Sequence, residues 1–524
     1  MEWAEFILAH DGEDPARLVL SRDRYPGVDV ALAAATIESR RKLRHKVPEW
    51  YGHPELILPL RLSAEQCSST ATARYKASLA KNGLAEGFVS WEAGHPRPVE
   101  GEGPAEYKLF ASQMMQEAVG GAGMERSGME SSQETNPSAF YIADLTGGLG
   151  VDSWAFSQVA SEVLYNEALP ELCEAARQNF SVLGAENIRV RSHRLGEVPL
   201  REVLGDFRPD LIFLDPARRG AGGRKVFLLE DCSPDVTALL PELLAAAPFV
   251  LLKLSPMADI SMLLRRLPHV REVHAVAAGG ECKELLLLLE RGFEGEPEMV
   301  AAEIPDQVRN DGTVVRNDDA AVRGGNDALR FRRSEEAAAV PSFGAPSPGA
   351  LLFEPGKALS KAGCFNLLSE RYGLPKLGPD THLYLSAYVP SVDDGGVRTK
   401  MPENVRTPIS GKRGTYSPES LLSGKWFRIV EILPLDKRGI AEAGRKYPSA
   451  DVSARGVPLS SDELSVRLRK AAKKKIPEQV RNDAAELVRN DAMEQVRNDA
   501  PLHIFGVRCA SLAANLLLVC QPLI

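Results

Sequence analysis

Between residues 140 and 290 the sequence carries seven short apolar runs, and the last two are joined only by Gly279-Gly280-Glu281-Cys282-Lys283. The runs are Phe140–Leu145, Glu162–Glu167, Asn187–Arg191, Asp210–Asp215, Phe249–Leu254, Arg271–Ala278 and Glu284–Glu290. Amphipathic stretches long enough for a crossover helix separate the first five, which makes them parallel strands of one sheet. Five residues cannot carry a helix across a sheet, so the last two runs must pair as an antiparallel hairpin. The expectation is an α/β domain with a seven-stranded sheet, five strands parallel and a hairpin at one side.

The first run ends in Asp144 and turns through Leu145-Thr-Gly147-Gly148-Leu-Gly150 into a helix opening at Val151-Asp152. Such a turn at the carboxyl edge of a parallel sheet is a nucleotide-type pocket. The acid selects the ligand. A dinucleotide lays its pyrophosphate on the turn and the helix N-terminus, where a carboxylate at Asp144 would repel it. S-adenosylmethionine has no phosphate but carries a sulfonium and an ammonium, both attracted by a carboxylate. Glu167, at the end of the second run, stands where these folds hydrogen-bond ribose hydroxyls, about 20 residues past the turn. The residues therefore imply a methyl-donor site held by Asp144, Gly147, Gly148, Gly150 and Glu167.

The fourth run ends in Asp215-Pro216-Ala217-Arg218, at the edge where a transferable methyl group would lie. An Asp-Pro pair here can accept hydrogen bonds from a nucleobase amino group, and catalysis is then mostly orientation. Arg218 stands where an aromatic would stack on the base; a guanidinium can stack too, or grip phosphate. The fifth run ends in Lys253-Leu254-Ser255-Pro256, without the cysteine that covalent attack on pyrimidine C5 requires. Direct transfer to a nitrogen, or to an oxygen, remains. Cys232 is read as a small packed residue near a helix start, His193 as a loop residue, and Asp152 as a favourable charge at a helix N-terminus. Arg191-Ser192-His193 lacks the acid that would hold an adenine amino group.

A chain of 524 residues is too long for one core. Helical spacing predicts a helical domain at 1–118. Small polar residues mark a linker at 119–139, followed by the α/β domain at 140–295. Residues 296–349 read as a low-complexity linker containing Val-Arg-Asn-Asp, a tetrapeptide that recurs at 480–483, 488–491 and 496–499. An eight-residue period fits no heptad or solenoid, and such charged segments cannot order themselves by burial. Residues 350–445 and 446–524 are expected to form one or two small α+β modules, the last interrupted at 476–500.

The net charge of −8 confines any nucleic-acid contact to local patches, of which two stand out: Arg40-Arg-Lys-Leu-Arg-His-Lys46 and Arg467-Leu-Arg-Lys-Ala-Ala-Lys-Lys-Lys475. Seven scattered cysteines without paired metal spacing argue against a metal site and fit a reducing compartment. No apolar run reaches 18 residues and the N-terminus lacks a signal-peptide pattern, so the expected location is cytoplasmic.

Taken together, EQCSSTATARYKA (65–77), DLTGGLGVD (144–152), LDPARRG (214–220), EDCSP (230–234), KLSPMADI (253–260), FEPGKALSKAGCF (353–365) and THLY (381–384) resemble a family of class I, Rossmann-like methyltransferases. That family carries a ferredoxin-like region and a C-terminal THUMP-like domain, and is found chiefly in Bacteroidetes. The resemblance implies methyl transfer from S-adenosylmethionine, a ferredoxin-like module at 350–445, a THUMP-like module at 446–524, and RNA as partner. Combined with the residues above, the expectation is an RNA methyltransferase acting on a base nitrogen, with Asp215 and Pro216 orienting the acceptor and Arg218 stacking or clamping. Two alternatives stay open. One is a methyltransferase for a protein or small molecule, which the acidic net charge would suit; the other is a non-catalytic RNA-binding factor retaining the fold, which Ala217 and Ser255 would suit.

Overall fold

The computed structural model describes residues 2–83, 140–217, 232–304, 328–386, 390–393, 396–399, 422–472 and 501–523. Arg218, the expected linker 119–139, residues 84–118 and every Val-Arg-Asn-Asp repeat lie outside them. Backbone packing divides the chain into two compact units, 1–212 and 213–524.

The first unit opens with helices α1 (Trp3–His10), α2 (Pro15–Leu20), α3 (Val30–Leu43), α4 (Pro48–Tyr51), α5 (Arg61–Gln66) and α6 (Thr70–Ser78). Val30, Ala33, Ala34 and Ile37 recur at helical spacing on α3 and bury one stripe against Phe6, Ile7 and Leu18. Asp29 starts α3 by accepting from Leu32 N, and Ser69 starts α6 by accepting from Thr72 N. Strands β1 (Tyr141–Asp144), β2 (Glu162–Asn166) and β3 (Ile188–Arg191) then alternate with α7 (Val151–Ser157) and α8 (Pro170–Val182), followed by the short α9 (Leu200–Leu204). β1 pairs with β2 and β2 with β3, both parallel. The helical segment is not a separate body: Asn179 on α8 exchanges two 2.8 Å hydrogen bonds with the Ile57 backbone.

After β4 (Leu211–Leu214), the chain continues through α10 (Val236–Ala246), β5 (Phe249–Leu254), α11 (Ile260–Arg266), β6 (Val270–Ala278) and β7 (Glu281–Glu290). β7 is antiparallel to both β5 and β6, as the five-residue gap requires. Every residue of β4 and Leu285–Leu289 of β7 is buried, which is why these strands read as unbroken apolar runs. Strand order in the sheet is β3-β2-β1-β4-β5-β7-β6-β8-β9, so seven strands become nine. The additions are β8 (Glu298–Ile304), parallel to β6, and β9 (Leu329–Arg332), antiparallel to β8. Both come from the tract 296–349 expected as a linker, and α12 (Arg333–Ala338) follows them. Charged residues at 298, 303, 330 and 332 hide the strand signal. Met299, Val300, Ala301, Ala302, Leu329 and Phe331 are nonetheless buried against the sheet.

The remaining elements are β10 (Leu351–Pro355), α13 (Lys357–Ala362), α14 (Phe365–Tyr372), β11 (Tyr384–Ser386), the ribbon β12 (Pro390–Asp393) and β13 (Gly396–Thr399), β14 (Gly424–Pro434), α15 (Lys437–Lys446), β15 (Asp451–Arg455), α16 (Ser461–Ala472), β16 (His503–Cys509) and β17 (Ala514–Pro522). Six of these strands form one sheet, ordered β11-β10-β14-β17-β16-β15. The boundary expected at 445/446 therefore cuts through one module. β14 pairs with β10 on one side and β17 on the other, and a single core of Leu352, Phe427, Ile429, Phe505 and Leu518 spans the proposed border.

Candidate active site

The glycine turn after β1 is held from both sides. Asp144 is buried; its Oδ1 accepts from Thr146 N at 3.1 Å and its Oδ2 from the Ser153 hydroxyl at 2.6 Å. From β2, Glu167 accepts Gly148 N on Oε2 and Leu169 N on Oε1, both at 2.9 Å, and Gly147 N donates to Asn166 O at 2.8 Å. Tyr165 lies beneath, its hydroxyl donating to Gly148 O at 2.6 Å. Burial, then the charges of Glu167, Cys173 and Asp144, push the Tyr165 phenol far above its ordinary value, so it stays a neutral donor.

Each glycine has its own reason. A Cβ at Gly147 would sit 2.1 Å from the Tyr165 ring. Gly150, the N-cap of α7, has φ +94° and would meet Phe180 at 2.7 Å; Gly148 has φ +55°. The five expected cofactor residues thus come together in one turn. Glu167 and the backbone remain at its mouth, while Asp144 is built into its wall. The charge was visible in the sequence, but where its lone pairs go was not.

Residues that sequence reasoning passed over complete this edge. The Asn166 side chain donates to Leu145 O and His193 O and accepts from His193 N, tying together the ends of the first three strands. His193 is a loop residue, as expected, held through its backbone. Asp152 does more than face a helix dipole: its Oδ2 accepts the Ser68 hydroxyl at 2.7 Å, and its Oδ1 lies 3.2 Å from Lys76 Nζ. The 65–77 motif is thereby pinned to the helix that the glycine turn feeds.

In the second unit, Asp215 follows β4 and is paired with Lys253 Nζ at 2.5 Å. Lys253 is the one charge in Phe-Val-Leu-Leu-Lys-Leu, an interruption that could have signalled it. Pro216 leads into Ala217, whose N and O both bond to Ser233 (2.9 and 3.0 Å). After β5, Ser255 closes a turn by accepting from Met257 N and Ala258 N, and Lys361 of α13 donates to Ala258 O at 2.8 Å. Cys232 lies just before α10, which begins at Val236 under the Asp235 cap.

The described residues include no cluster of His, Cys, Asp and Glu able to hold a metal, and no helix long and apolar enough to cross a membrane. Several cations of the first basic cluster have partners within the chain. Arg40 is buried, donating to His53 O and Tyr51 O, and Arg41 is bound to Asp11 O. Lys42 pairs with Glu65, and Lys46 donates to Glu65 O. Arg40, Arg41 and Lys46 thus satisfy carbonyls left over by loops and helix ends, while Arg41, Lys42, Arg44 and His45 stay at the surface.

Comparison with known proteins matches this arrangement. Residues 351–391 match a ferredoxin-like domain model, and 424–479 match a THUMP domain-like model. A crystal structure from Porphyromonas gingivalis W83, provisionally described as a methyltransferase, superposes with a TM-score of 0.65 at 26% identity, covering 99% of this chain and 97% of that one. The chain has the class I methyltransferase fold, with ferredoxin-like and THUMP-like domains. The THUMP-like match starts at β14, well before residue 446. An rRNA methylase from Streptococcus thermophilus (13% identity, 29% of this chain and 87% of that chain, TM-score 0.22) also matches. So does a ribosomal protein L11 methylase from Lactobacillus delbrueckii subsp. bulgaricus (15%, 37% and 81%, TM-score 0.22). Both superpositions are too slight to bear on substrate. No curated protein matches in sequence.

Proposed function

We propose that this methyltransferase fold is an S-adenosylmethionine-dependent enzyme that methylates a base nitrogen in structured RNA, rRNA or tRNA. The observation that carries the cofactor reading is the bond from Gly148 N to Glu167. The turn's amide is already answered by a protein carboxylate, so an incoming phosphate would meet negative charge where a dinucleotide site offers donors. Glu167 keeps further lone pairs for ribose hydroxyls, and the close turn over Tyr165 leaves backbone at the mouth. Asp144, Gly147, Gly148, Gly150 and Glu167 would hold the cofactor, which supplies an electrophilic methyl group.

On the acceptor side, Asp215 and Pro216 would orient the base. Carboxylate oxygens carry several lone pairs, so Asp215 can hold Lys253 and still accept from a nucleobase amino group. Lys253 then fixes the Asp215 rotamer, which fixes the direction in which the base nitrogen presents its lone pair. Arg218 would stack on the base or clamp a phosphate. RNA as acceptor draws on the THUMP-like domain and on the cations of α16. All seven cysteines are free thiols, consistent with the cytoplasmic location we propose.

The direct test incubates the full chain with radiolabelled methyl donor and either total RNA or total protein from a strain lacking it. Label in RNA, found on a base nitrogen by nucleoside mass spectrometry, is the expected result. Label in protein alone overturns the substrate assignment.

A further inference from the structure

The sheet edge reached by Lys253 also receives a helix from the ferredoxin-like region. β7 sets Leu285 opposite Leu254, and β8 sets Ile304 opposite Ala278. The end of β5, the β6–β7 hairpin and the end of β8 therefore open on one side. Helix α13, from the 353–365 motif, packs against β6, β7 and β8. Its start is clipped to the end of β8: Ala358 N donates to Glu303 Oε2 at 3.4 Å, and a Cβ at Gly356 would lie 2.7 Å from that oxygen. Its end is clipped to the loop after β5, where Lys361 Nζ donates to Ala258 O at 2.8 Å.

That loop is firmly built. Ser255 accepts from Ala258 N on its carbonyl and from Met257 N on its hydroxyl. Asp259 caps α11 by accepting from Met262 N, and Arg333 of α12 donates to the Ser261 hydroxyl at 2.9 Å. Yet the side chain the loop presents is Met257, apolar and 76% exposed. Exposure by itself decides nothing, since single apolar side chains are common on surfaces. What separates Met257 is a backbone braced from α12 and α13, and a place four residues past Lys253, whose ammonium holds Asp215. A surface already fixed costs little further ordering when a ligand covers it. A thioether is polarisable and suits a flat aromatic face.

We propose that Met257 is the surface on which the acceptor base lies while Asp215 orients it, and that Lys361 is a positioning residue through which the ferredoxin-like region fixes that surface. The inference rests on the methyl-transfer reading above and deepens it. One wall of the acceptor site is assigned to the loop after β5, and the ferredoxin-like region gains a part in acceptor geometry. Phosphate would find no donor in the Met257 side chain, so this contact recognises a ring and not the nucleic-acid backbone.

The test uses the full chain, radiolabelled methyl donor and total RNA from a strain lacking the protein, with hydrogen exchange of the loop measured separately. Met257→Ala should raise the apparent KM for RNA about tenfold, and Met257→Leu much less. Lys361→Met should raise it similarly and quicken exchange of the Met257 and Ala258 amides about tenfold; Lys361→Arg should restore both. Methyl-donor affinity by calorimetry should be the same in all four variants. An active wild type with unchanged KM in Met257→Ala, or a loss confined to kcat or to methyl-donor affinity, would overturn the base contact alone. Unchanged exchange in Lys361→Met would overturn the brace. A wild type that binds the methyl donor but labels no RNA would remove the RNA reading and the occupant of Met257 together, while quickened exchange in Lys361→Met would still support the brace.

Discussion

The Lys76 ammonium lies 3.2 Å from the Asp152 carboxylate with the lysine side chain wholly buried, and the Ser68 hydroxyl touches both. A charge so placed is tolerable only with its partner. The 65–77 segment and the helix after the glycine turn must therefore fold as one object, although some 80 residues separate them in sequence.

Removing one member of this pair should be severe. Asp152→Ala removes the carboxylate 3.2 Å from the buried Lys76 ammonium, and the expected loss is about 3–5 kcal/mol. The double replacement Lys76→Met, Asp152→Leu should recover most of it. Chemical denaturation of the three variants checks this; equal losses in the single and double variants would refute the pairing argument.

Gly150→Ala should destabilise the turn by about 1–3 kcal/mol, because φ +94° is unfavourable for alanine and its Cβ would press on Phe180. Gly147→Ala meets the Tyr165 ring at 2.1 Å and should act similarly. Both should abolish methyl-donor binding measured by calorimetry at temperatures where the variants remain folded. Binding at wild-type affinity would remove the turn from the cofactor site.

Lys253→Met should lower kcat by about a hundredfold while leaving cofactor affinity unchanged, since it removes the ammonium that anchors the Asp215 carboxylate. Asp215→Asn should act in the same direction. A rise in cofactor Kd with unaltered kcat would place Lys253 on the cofactor side.

Acid should weaken the protein through Glu272. Burial by itself would raise this carboxyl; the hydrogen bond and charge of His274, with Arg330 and Arg271, outweigh it and hold the group at about 2 against an ordinary 4.5. Its folded value is depressed, so its contribution is complete above about pH 4.5 and is lost as pH falls toward 2. The size is about 3 kcal/mol. Denaturation midpoints between pH 6 and pH 3 should fall more steeply for the wild type than for Glu272→Gln. Parallel curves would count against the assignment.

Much of the fold could be read in the sequence because Leu211–Leu214, Phe249–Leu252 and Leu285–Leu289, in β4, β5 and β7, are buried on both faces and so must be apolar. The five-residue hairpin gap admits one topology. β8 and β9 were hidden because each carries charges within a strand of seven or four residues, and Arg330, Glu298 and Glu272 compensate one another only across neighbouring strands. The cofactor turn was readable as a local pattern. The roles of Lys253, Asn166 and Lys76 were not, because Asp215, Leu145, His193 and Asp152, to which they bind, lie 21 to 76 residues away on other strands, helices and loops.

The sequence alone determined where the first seven strands lie, where the chain must turn back and which residues make the glycine turn, all of which follow from covalent neighbours and apolar periodicity. Only the tertiary structure decided what the charges do. It turned Arg40, Arg41, Lys42 and Lys46 toward partners in the same chain and gathered Lys437, Arg445, Arg467 and Lys470 around one cleft. A charge's role depends on which opposite charge or carbonyl lies within a few ångströms, and linear spacing does not encode that distance.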